Sequence, residues 1–171
     1  MEYFYTIKDV DILEKPTDEP KVYRTRPTVK GFIINEDGKI ALLTVRGHYG
    51  LPGGGIEGDE TKEEALLREC KEEIGCEVHI EKFLGTTLQY RAIPAKKYET
   101  HYFIARVVGE IGTPTTNQEN ELGVETVWCT KEEVEQKLTE QLQDDMEGDY
   151  PMQFNRRTHF EACKKFLEAM S

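Results

Sequence analysis

The feature that most constrains this chain is the stretch from Leu51 to Cys76, LPGGGIEGDETKEEALLRECKEEIGC. Three consecutive glycines lead into seventeen residues that hold seven glutamates and one aspartate. Leu66, Cys70 and Ile74 repeat every four residues, which predicts a helix over 61–74 with one buried face. A flexible turn therefore runs directly into a helix crowded with like charges, and something must compensate for the crowding.

Three of these glutamates fall on one side of the predicted helix. At about 100° per residue, Glu69, Glu72 and Glu73 lie within an arc of about 100°, beside the buried stripe. The like-charged pair Glu69 and Glu73 should destabilise an isolated helix by roughly 0.2–0.5 kcal/mol. Mg²⁺ commonly binds a few carboxylates together with substrate phosphates and water. A metal site explains the pattern, although a solvated acidic face also fits the carboxylates taken alone.

The spacing of this segment resembles a known family. Gly54, Glu60 and the run RECKEEIGC from Arg68 reproduce the Nudix box of the Nudix hydrolases, G-x5-E-x7-R-E-U-x-E-E-x-G-U, where U is a bulky aliphatic residue. Every fixed position matches, and Cys70 and Cys76 stand at the two U positions. Cysteine behaves as a small hydrophobe, so this departure should affect packing more than chemistry. The preceding run GLPGGGIE also resembles the family.

The resemblance implies a Nudix fold. This is an α+β or mixed α/β architecture in which a mixed β-sheet is sandwiched between helices, here with a C-terminal helical extension. We expect one Nudix domain over residues 1–171, with the box at 54–76. Hydrophobic patterns predict strands near 3–7, 28–34, 39–45, 78–89, 98–108 and 124–129, and further helices near 130–142 and 155–170.

The resemblance also implies an activity and roles for particular residues. Nudix enzymes use Mg²⁺ or Mn²⁺ to hydrolyse a nucleoside diphosphate linked to another moiety, with water attacking phosphorus. The implied metal ligands are Gly54, Glu69, Glu72 and Glu73. The implied catalytic residues are Glu69, Glu72, Arg68 and a downstream glutamate, for which we favour Glu121 over Glu119 and Glu125. The residues expected to shape the box are Gly53, Gly55, Glu57, Glu60 and Gly75, with Glu57 also placed to reach a second metal.

Candidate substrate-binding residues flank the glycine loop and end a predicted strand. They are Arg46, His48, Tyr49, Tyr90 and Arg91. An aromatic ring beside a cation suits a nucleotide, since the ring stacks on a base and the cation binds phosphate. An exposed loop residue is an equal alternative for His48, and strand-end packing is an alternative for Tyr90 and Arg91.

The remaining side chains specify the substrate less well. Arg24 and Arg26 suit an anion, although paired arginines are more often solvated. The surroundings of the box favour a nucleoside triphosphate or a nucleotide sugar. The alternative function is a nucleotide-sensing or protein-binding Nudix module without hydrolysis, although such modules often lose a box glutamate and this chain retains all of them.

Charge, targeting signals and cysteine content indicate which partners, location and cysteine state to expect. The formal net charge is -11, which disfavours stable nucleic-acid or anionic-membrane binding because both need clustered basic residues. No secretory signal or membrane span is evident, so we expect a cytoplasmic protein that is a monomer or a homodimer. The four cysteines form no CxxC pair and are predicted to be buried thiols.

Overall fold

The computed structural model describes residues 3–115, 123–143 and 149–171. These residues form a mixed seven-stranded β-sheet with helices on both faces. The strands are β1 (Tyr3–Lys8), β2 (Arg24–Ile34), β3 (Ile40–Val45), β4 (His48–Gly50), β5 (Glu77–Arg91), β6 (Lys96–Val108) and β7 (Glu125–Cys129). The helices are α1 (Lys62–Glu69), α2 (Lys131–Gln143) and α3 (Tyr150–Ala169), with a short 3-10 helix at Asp9–Asp11.

The sheet divides where β2 and β3 separate. Strands run in the order β1-β5-β6-β2-β3-β4, and β7 pairs with the other edge of β3. β1 is parallel to β5 and β2 is parallel to β6, while the remaining pairs are antiparallel. β2 and β3 share one pair of residues, Ile34 and Ile40, at their hairpin. The gap beyond this pair is where the glycine loop enters.

Each face of the sheet has its own apolar core. Leu66 and Cys70 pack with Val29 and Phe103 on one face. On the other face, α2 and α3 cover a second cluster that includes Phe166, whose ring stacks on Phe32 with centroids 4.3 Å apart. Burying an aromatic or aliphatic side chain of this size stabilises the fold by about 1.5–3 kcal/mol. The C-terminal helix therefore belongs to the same core as the sheet.

The box helix has a defined start and an unusual end. The Thr61 hydroxyl accepts a hydrogen bond from the Glu64 amide at 3.1 Å, and the Glu64 carboxylate accepts one from the Thr61 amide at 2.8 Å, which is a capping box. The segment Cys70–Ile74 continues as a π-helix. It ends at Gly75, as predicted, where the Gly75 amide donates to the Cys70 carbonyl at 3.0 Å. The last five residues of the box helix are thus wound more widely than an α-helix.

The C-terminal helix begins earlier than the sequence pattern predicts. The expected start near residue 155 is wrong, because Asp149 caps the helix by accepting a bond from the Met152 amide at 3.1 Å. Pro151 occupies the first turn, where its missing N–H costs nothing. Asp9 accepts hydrogen bonds from the Tyr150 hydroxyl and from the Ala92 amide. The N-terminal segment therefore holds this end of α3 against the β5–β6 turn.

Most other expectations are confirmed. The predicted strands are present with ends shifted by a few residues, and β4 is an additional three-residue strand. All four cysteines lie among the described residues, are buried and form no disulfide. Burial raises the pKa of each of these thiols, to about 11 for Cys76. Among the residues described, no helix is long and apolar enough to cross a membrane.

Candidate active site

The glycine loop fills the gap in the sheet and pairs with β2. The Gly31 amide donates to the Pro52 carbonyl at 3.0 Å, and the Val29 amide donates to the Gly54 carbonyl at 2.9 Å. At the other end of the loop, the Ile56 amide donates to the Pro27 carbonyl at 3.1 Å. These bonds fix the path of the loop in front of the box helix.

Glycine is required at two loop positions for steric reasons. Gly53 has a φ of 127°, and a Cβ there would overlap the Val29 carbonyl. A Cβ at Gly54 would overlap the Glu69 carboxylate. The backbone of the loop therefore lies directly against a box carboxylate.

Arg68 lies at the centre of the box. Its guanidinium donates to Glu60 through Nε at 2.7 Å and through Nη2 at 3.1 Å. Nη1 donates to Glu69 Oε1 at 2.8 Å and to Glu72 Oε2 at 3.1 Å. Nη2 also donates to the Gly55 carbonyl at 2.8 Å. One side chain thus holds three carboxylates and the loop, and it offsets the like-charge crowding seen in the sequence.

The charges of this cluster shift the pKa values of its members. Hydrogen bonds from Arg68 lower the pKa of Glu60, and hydrogen bonding to Glu60 raises the pKa of Arg68. Glu69 is 8% exposed, and its desolvation raises its pKa although Arg68 opposes the shift. Burial therefore disfavours the charged form of Glu69, and a further cation beside it would favour that form.

The other predicted metal ligands lie close to the loop. The Glu73 carboxylate accepts a hydrogen bond from the Gly53 amide, which brings it to the loop side of the box. The Gly54 carbonyl accepts the bond from Val29 on one lone pair, and a carbonyl oxygen has a second. Glu57 is exposed, and its amide donates to Glu60 at 3.0 Å.

These donors fit a hard divalent cation. Glu69, Glu72 and Glu73 supply carboxylate oxygens, and Mg²⁺ needs only one or two of these beside water and phosphate. In the described part of the chain, no group of three or more His, Cys, Asp or Glu side chains is already arranged to hold a metal. The carboxylates are instead hydrogen-bonded to other groups. Arg68 donates to Glu69 and Glu72, and the Gly53 amide donates to Glu73.

Two pockets open on the side of the loop that faces α3. We call the first the apolar compartment; it has a volume of about 380 Å³ and walls formed by Leu43, Val45, Tyr49, Leu51 and Met152, with Glu73 at its edge. The backbone of Tyr49 exchanges two hydrogen bonds with the Gln141 side chain, at 2.6 and 3.0 Å. Lys137 Nζ lies 4.5 Å from the centre of the Tyr49 ring. The aromatic wall is thereby held from α2.

We call the second pocket the cationic compartment. It also has a volume of about 380 Å³, and it is lined by Arg26, Lys30, Arg91 and Lys96, together with uncharged side chains such as Gln89 and Asn155. None of the described residues that line it is an aspartate or a glutamate. The backbone of Gly54 and Gly55 also borders it, so it opens beside the box carboxylates.

The predicted substrate residues separate into two groups. His48 and Tyr49 line the apolar compartment, and Arg91 lines the cationic one. Arg46 lies exposed in the turn between β3 and β4 and lines neither pocket. Tyr90 points to the opposite face of β5 from Arg91, where its ring contacts Tyr23 at 5.2 Å between centroids. The structure therefore does not bring Tyr90 and Arg91 together, and Tyr98 takes the place beside Arg91 at 4.2 Å from its guanidinium.

The predicted downstream carboxylates are placed only in part. Glu119 and Glu121 lie outside the described residues. Glu125 is exposed at the start of β7, opposite Thr44 of β3. Val124, its neighbour, lines the apolar compartment.

Several residues that line the cleft were missed from the sequence. Lys30 Nζ donates to the Leu51 carbonyl at 2.8 Å and to the Gly53 carbonyl, so it holds the loop from β2. A lysine within the otherwise apolar run TVKGFII was a usable signal for it. Asn155, Arg156 and His159 of α3 carried no signal, because only the tertiary fold brings α3 to the cleft. Burial lowers the pKa of His159 to about 3, which keeps this imidazole neutral.

Comparison with known proteins gives the family. A model of the NUDIX domain matches residues 24–148. An RNA pyrophosphohydrolase from Marinomonas sp. (strain MWYL1) is 42% identical over 71 residues, which is 39% of this chain and 44% of that protein. An ADP-ribose pyrophosphatase from Methanocaldococcus jannaschii is 37% identical over 82 residues, 45% of this chain and 48% of the relative. The chain thus spans about half the length of these curated relatives.

Solved structures agree on the fold. A MutT protein from Methanosarcina mazei Go1 superposes with a TM-score of 0.56 at 21% identity, covering 84% of this chain and 96% of the other. A NUDIX hydrolase from Nitrosomonas europaea gives 0.54 at 21% identity, covering 81% and 90%. The family match spans the box and most of the sheet, and these structures share the mixed sheet between helices. The chain therefore belongs to the Nudix hydrolase family, as the spacing of its box predicts.

Proposed function

We propose that this chain is a metal-dependent pyrophosphohydrolase that cleaves a nucleoside diphosphate linked to another moiety. Water bonds to one phosphorus of the anhydride, the bridging P–O bond breaks, and the leaving phosphate carries away the bridging oxygen. A nucleoside triphosphate or a nucleotide sugar is the expected type of substrate. The arrangement of Arg68 with Glu60, Glu69 and Glu72 beside Gly54 is the observation that carries this proposal.

The box residues would hold the cation. Glu69, Glu72, Glu73 and the Gly54 carbonyl are the proposed ligands for Mg²⁺ or Mn²⁺. The bound ion would neutralise the phosphate oxygens and lower the pKa of water. Arg68 orients Glu69 and Glu72 by charge-assisted hydrogen bonds.

Proton removal from water is assigned to a glutamate. Glu69 or a later glutamate would accept the proton as the new P–O bond forms. A carboxylate from the downstream loop, for which Glu121 is favoured over Glu119 and Glu125, would assist. Glu69 is close to the loop that borders both compartments, which suits a group that acts at the phosphate.

The substrate would lie across the loop. Tyr49 and His48 suit the nucleoside end, since the apolar compartment offers an aromatic wall and a ring nitrogen. Arg91 suits the anionic part in the cationic compartment. Arg46 and Tyr90 stay predictions, because the structure gives them no place in either pocket.

We propose in addition that residues 1–171 form one domain. Helix α3 lies beyond the range that the family model matches, yet Phe154, Ala162, Cys163 and Phe166 on it are buried. Three of these, Ala162, Cys163 and Phe166, pack in the same cluster as Phe32 and Leu42 of the sheet. A monomer or a homodimer is expected, which light scattering would decide.

The experiment is a release assay for phosphate and pyrophosphate with Mg²⁺ or Mn²⁺. Canonical and oxidised nucleoside triphosphates, ADP-ribose, nucleotide sugars and dinucleoside polyphosphates are offered, with added phosphatase to reveal monoester products. Glu73→Gln should lower turnover at least about a hundredfold while the protein stays folded, since an amide replaces a charged ligand. Glu63→Gln, on the exposed side of the same helix, is the matched control and should retain full activity.

Three outcomes would change the proposal. Full activity of Glu73→Gln would remove Glu73 from the site. Silence across the panel, with nucleotide still raising the melting temperature, would favour a nucleotide-sensing module instead. Preference for a 5′-triphosphorylated RNA over free nucleotides would overturn the expectation of a small-molecule substrate, and several curated relatives of this chain are named RNA pyrophosphohydrolases.

A further inference from the structure

The two compartments form one cleft on the α3 side of the glycine loop. Lys30, Asn155 and His159 line both pockets, so the pockets meet at these three side chains. The loop that carries Gly54 forms the floor of the junction, with Glu73 reaching one pocket and Gly54 the other. A ligand that spans the junction would therefore pass the box carboxylates.

The charge of the cationic compartment contrasts with that of the chain. Of the residues that the structure describes, four cations and no carboxylate line it, although the whole protein carries a formal net charge of -11. Arg26 lies against the loop, with Nη2 3.4 Å from the position that a Cβ on Gly55 would take. Cations crowded in this way repel one another unless an anion lies among them.

The uncharged polar groups of the compartment also favour an acceptor. Arg91 donates through Nη2 to Asn155 Oδ1 at 2.8 Å and through Nε to Gln89 Oε1 at 3.0 Å. Because these amide oxygens are turned toward Arg91, each side chain presents its NH₂ group on the other side. Gln89 donates from that group to Thr158 at 2.8 Å. Asn155, which is exposed at the junction, is left to donate from its NH₂ group to a ligand.

We propose that the cationic compartment binds the phosphate chain of the substrate and thereby selects nucleoside triphosphates over nucleoside diphosphate sugars whose sugar is uncharged. This inference rests on the proposed function and adds the substrate class to it. Arg26, Lys96 and Asn155 contact the phosphate chain, and Arg91 is a positioning residue that orients Asn155. The base lies in the apolar compartment, against the ring of Tyr49.

Helix α3 therefore takes part in specificity. Asn155 and His159 stand on it, at the junction of the compartments. The helix lies outside residues 24–148, the range that the family model matches. The residues of α3 that would select the substrate are therefore separate in sequence from the Nudix box at residues 54–76.

The first test measures binding without turnover. Inorganic tripolyphosphate is titrated into the full chain by calorimetry, in EDTA and again with Mg²⁺. The double variant Arg26→Gln with Lys96→Gln should weaken binding about tenfold or more, because charge-assisted bonds are lost. The charge-matched control is Lys82→Gln with Arg106→Gln, both exposed on the outer parts of β5 and β6, and it should bind within about twofold of the unmodified protein.

The second test measures selection. The kcat/KM values of a nucleoside triphosphate and of a nucleoside diphosphate sugar with the same base are compared. The unmodified chain should prefer the triphosphate, and the double variant should raise KM for the triphosphate about tenfold while changing kcat little. Arg91→Lys, which keeps the charge but loses the two-point hold on Gln89 and Asn155, should also raise that KM.

The outcomes separate this inference from the proposed function. Failure of tripolyphosphate to bind, or equal binding by the double variant and the unmodified chain, overturns the inference whether or not the chain is an enzyme. A preference for the uncharged sugar also overturns it. Loss of turnover alone, with tripolyphosphate binding still dependent on Arg26 and Lys96, supports the phosphate site and counts against the hydrolase.

Discussion

The two walls of the cleft are built in different ways. The wall formed by the glycine loop and α1 is almost entirely local, since Arg68 reaches Gly55, Glu60, Glu69 and Glu72 within seventeen residues of chain. The wall formed by α3 is distant in sequence, since Asn155 comes 64 positions after Arg91, to which it is hydrogen-bonded. Residues that are close in sequence can be recognised from their spacing along the chain. Residues that are far apart in sequence meet only through the packing of the whole domain.

The largest expected effect tests whether α3 is part of the core. Phe166→Ala removes a ring that is 1% exposed and stacked on Phe32. It should lower the free energy of unfolding by about 3–5 kcal/mol, because the lost contacts leave a cavity. Urea denaturation measures this change. Phe160→Ala, at a half-buried site on the same helix, should cost clearly less, and equal costs would mean that α3 is only loosely attached.

The next effect tests the local wall. Arg68→Gln removes the guanidinium that holds Glu60, Glu69 and Glu72. Metal-dependent kcat/KM should fall about 10–100-fold, as is usual for residues that orient metal ligands. Arg106→Gln breaks an exposed ion pair with Glu81 and should change kcat/KM less than twofold. Equal activity of the two variants would contradict the central position of Arg68.

A pH effect follows from His159 on α3. Its pKa is lowered to about 3 by burial, so the folded state binds fewer protons than the unfolded state below pH 6.5. Its contribution to stability is complete above pH 6.5 and is lost progressively as the pH falls from 6.5 toward 3. Between pH 6.5 and 5, protonation linked to His159 should lower the free energy of unfolding by about 2 kcal/mol.

The measurement is the free energy of unfolding at several pH values. In His159→Gln, the free energy of unfolding should fall less between pH 6.5 and 5 than it does in the unmodified chain. His79→Gln, at an exposed position on β5, is the control for replacing a histidine elsewhere in the fold. An unaltered slope in His159→Gln would mean that the imidazole is not held neutral by the fold.

The smallest effect concerns the start of the box helix. Thr61→Ala removes the hydroxyl that accepts the Glu64 amide. The protein should lose about 1 kcal/mol of stability, with little change in kcat/KM, because the cap lies outside the carboxylate cluster. Thermal unfolding and the release assay check this together. A large loss of activity would show that the box is less rigid than its hydrogen bonds imply.

The same contrast explains what the sequence could predict. The box, its helix and the strands follow from short-range spacing, and the glycine loop was placed correctly for that reason. The π-helical winding of Cys70–Ile74 was not predicted, because it depends on how the turn packs rather than on residue type. The early start of α3 had a signal in Asp149 and Pro151, and the polar residues around them concealed it.

Pairs of substrate residues were harder to predict. Tyr90 and Arg91 were grouped as neighbours in sequence, but successive residues of a strand face opposite sides, so of the two only Arg91 reaches the cleft. Lys30 had a signal in its apolar strand that was not used, whereas Asn155 became visible only when the fold brought α3 to the cleft. Sequence reasoning therefore placed the box better than the residues that line the rest of the cleft.

The most direct test of whether the box serves catalysis and the cationic compartment serves specificity is a ratio of two kcat/KM values. We would measure kcat/KM for a nucleoside triphosphate and for an uncharged nucleotide sugar of the same base in Glu69→Gln and in Arg26→Gln with Lys96→Gln. We predict that Glu69→Gln lowers both values by the same factor, while the double variant lowers only the triphosphate value. A double variant that lowers both equally, or a Glu69→Gln protein whose ratio changes instead, would contradict this prediction.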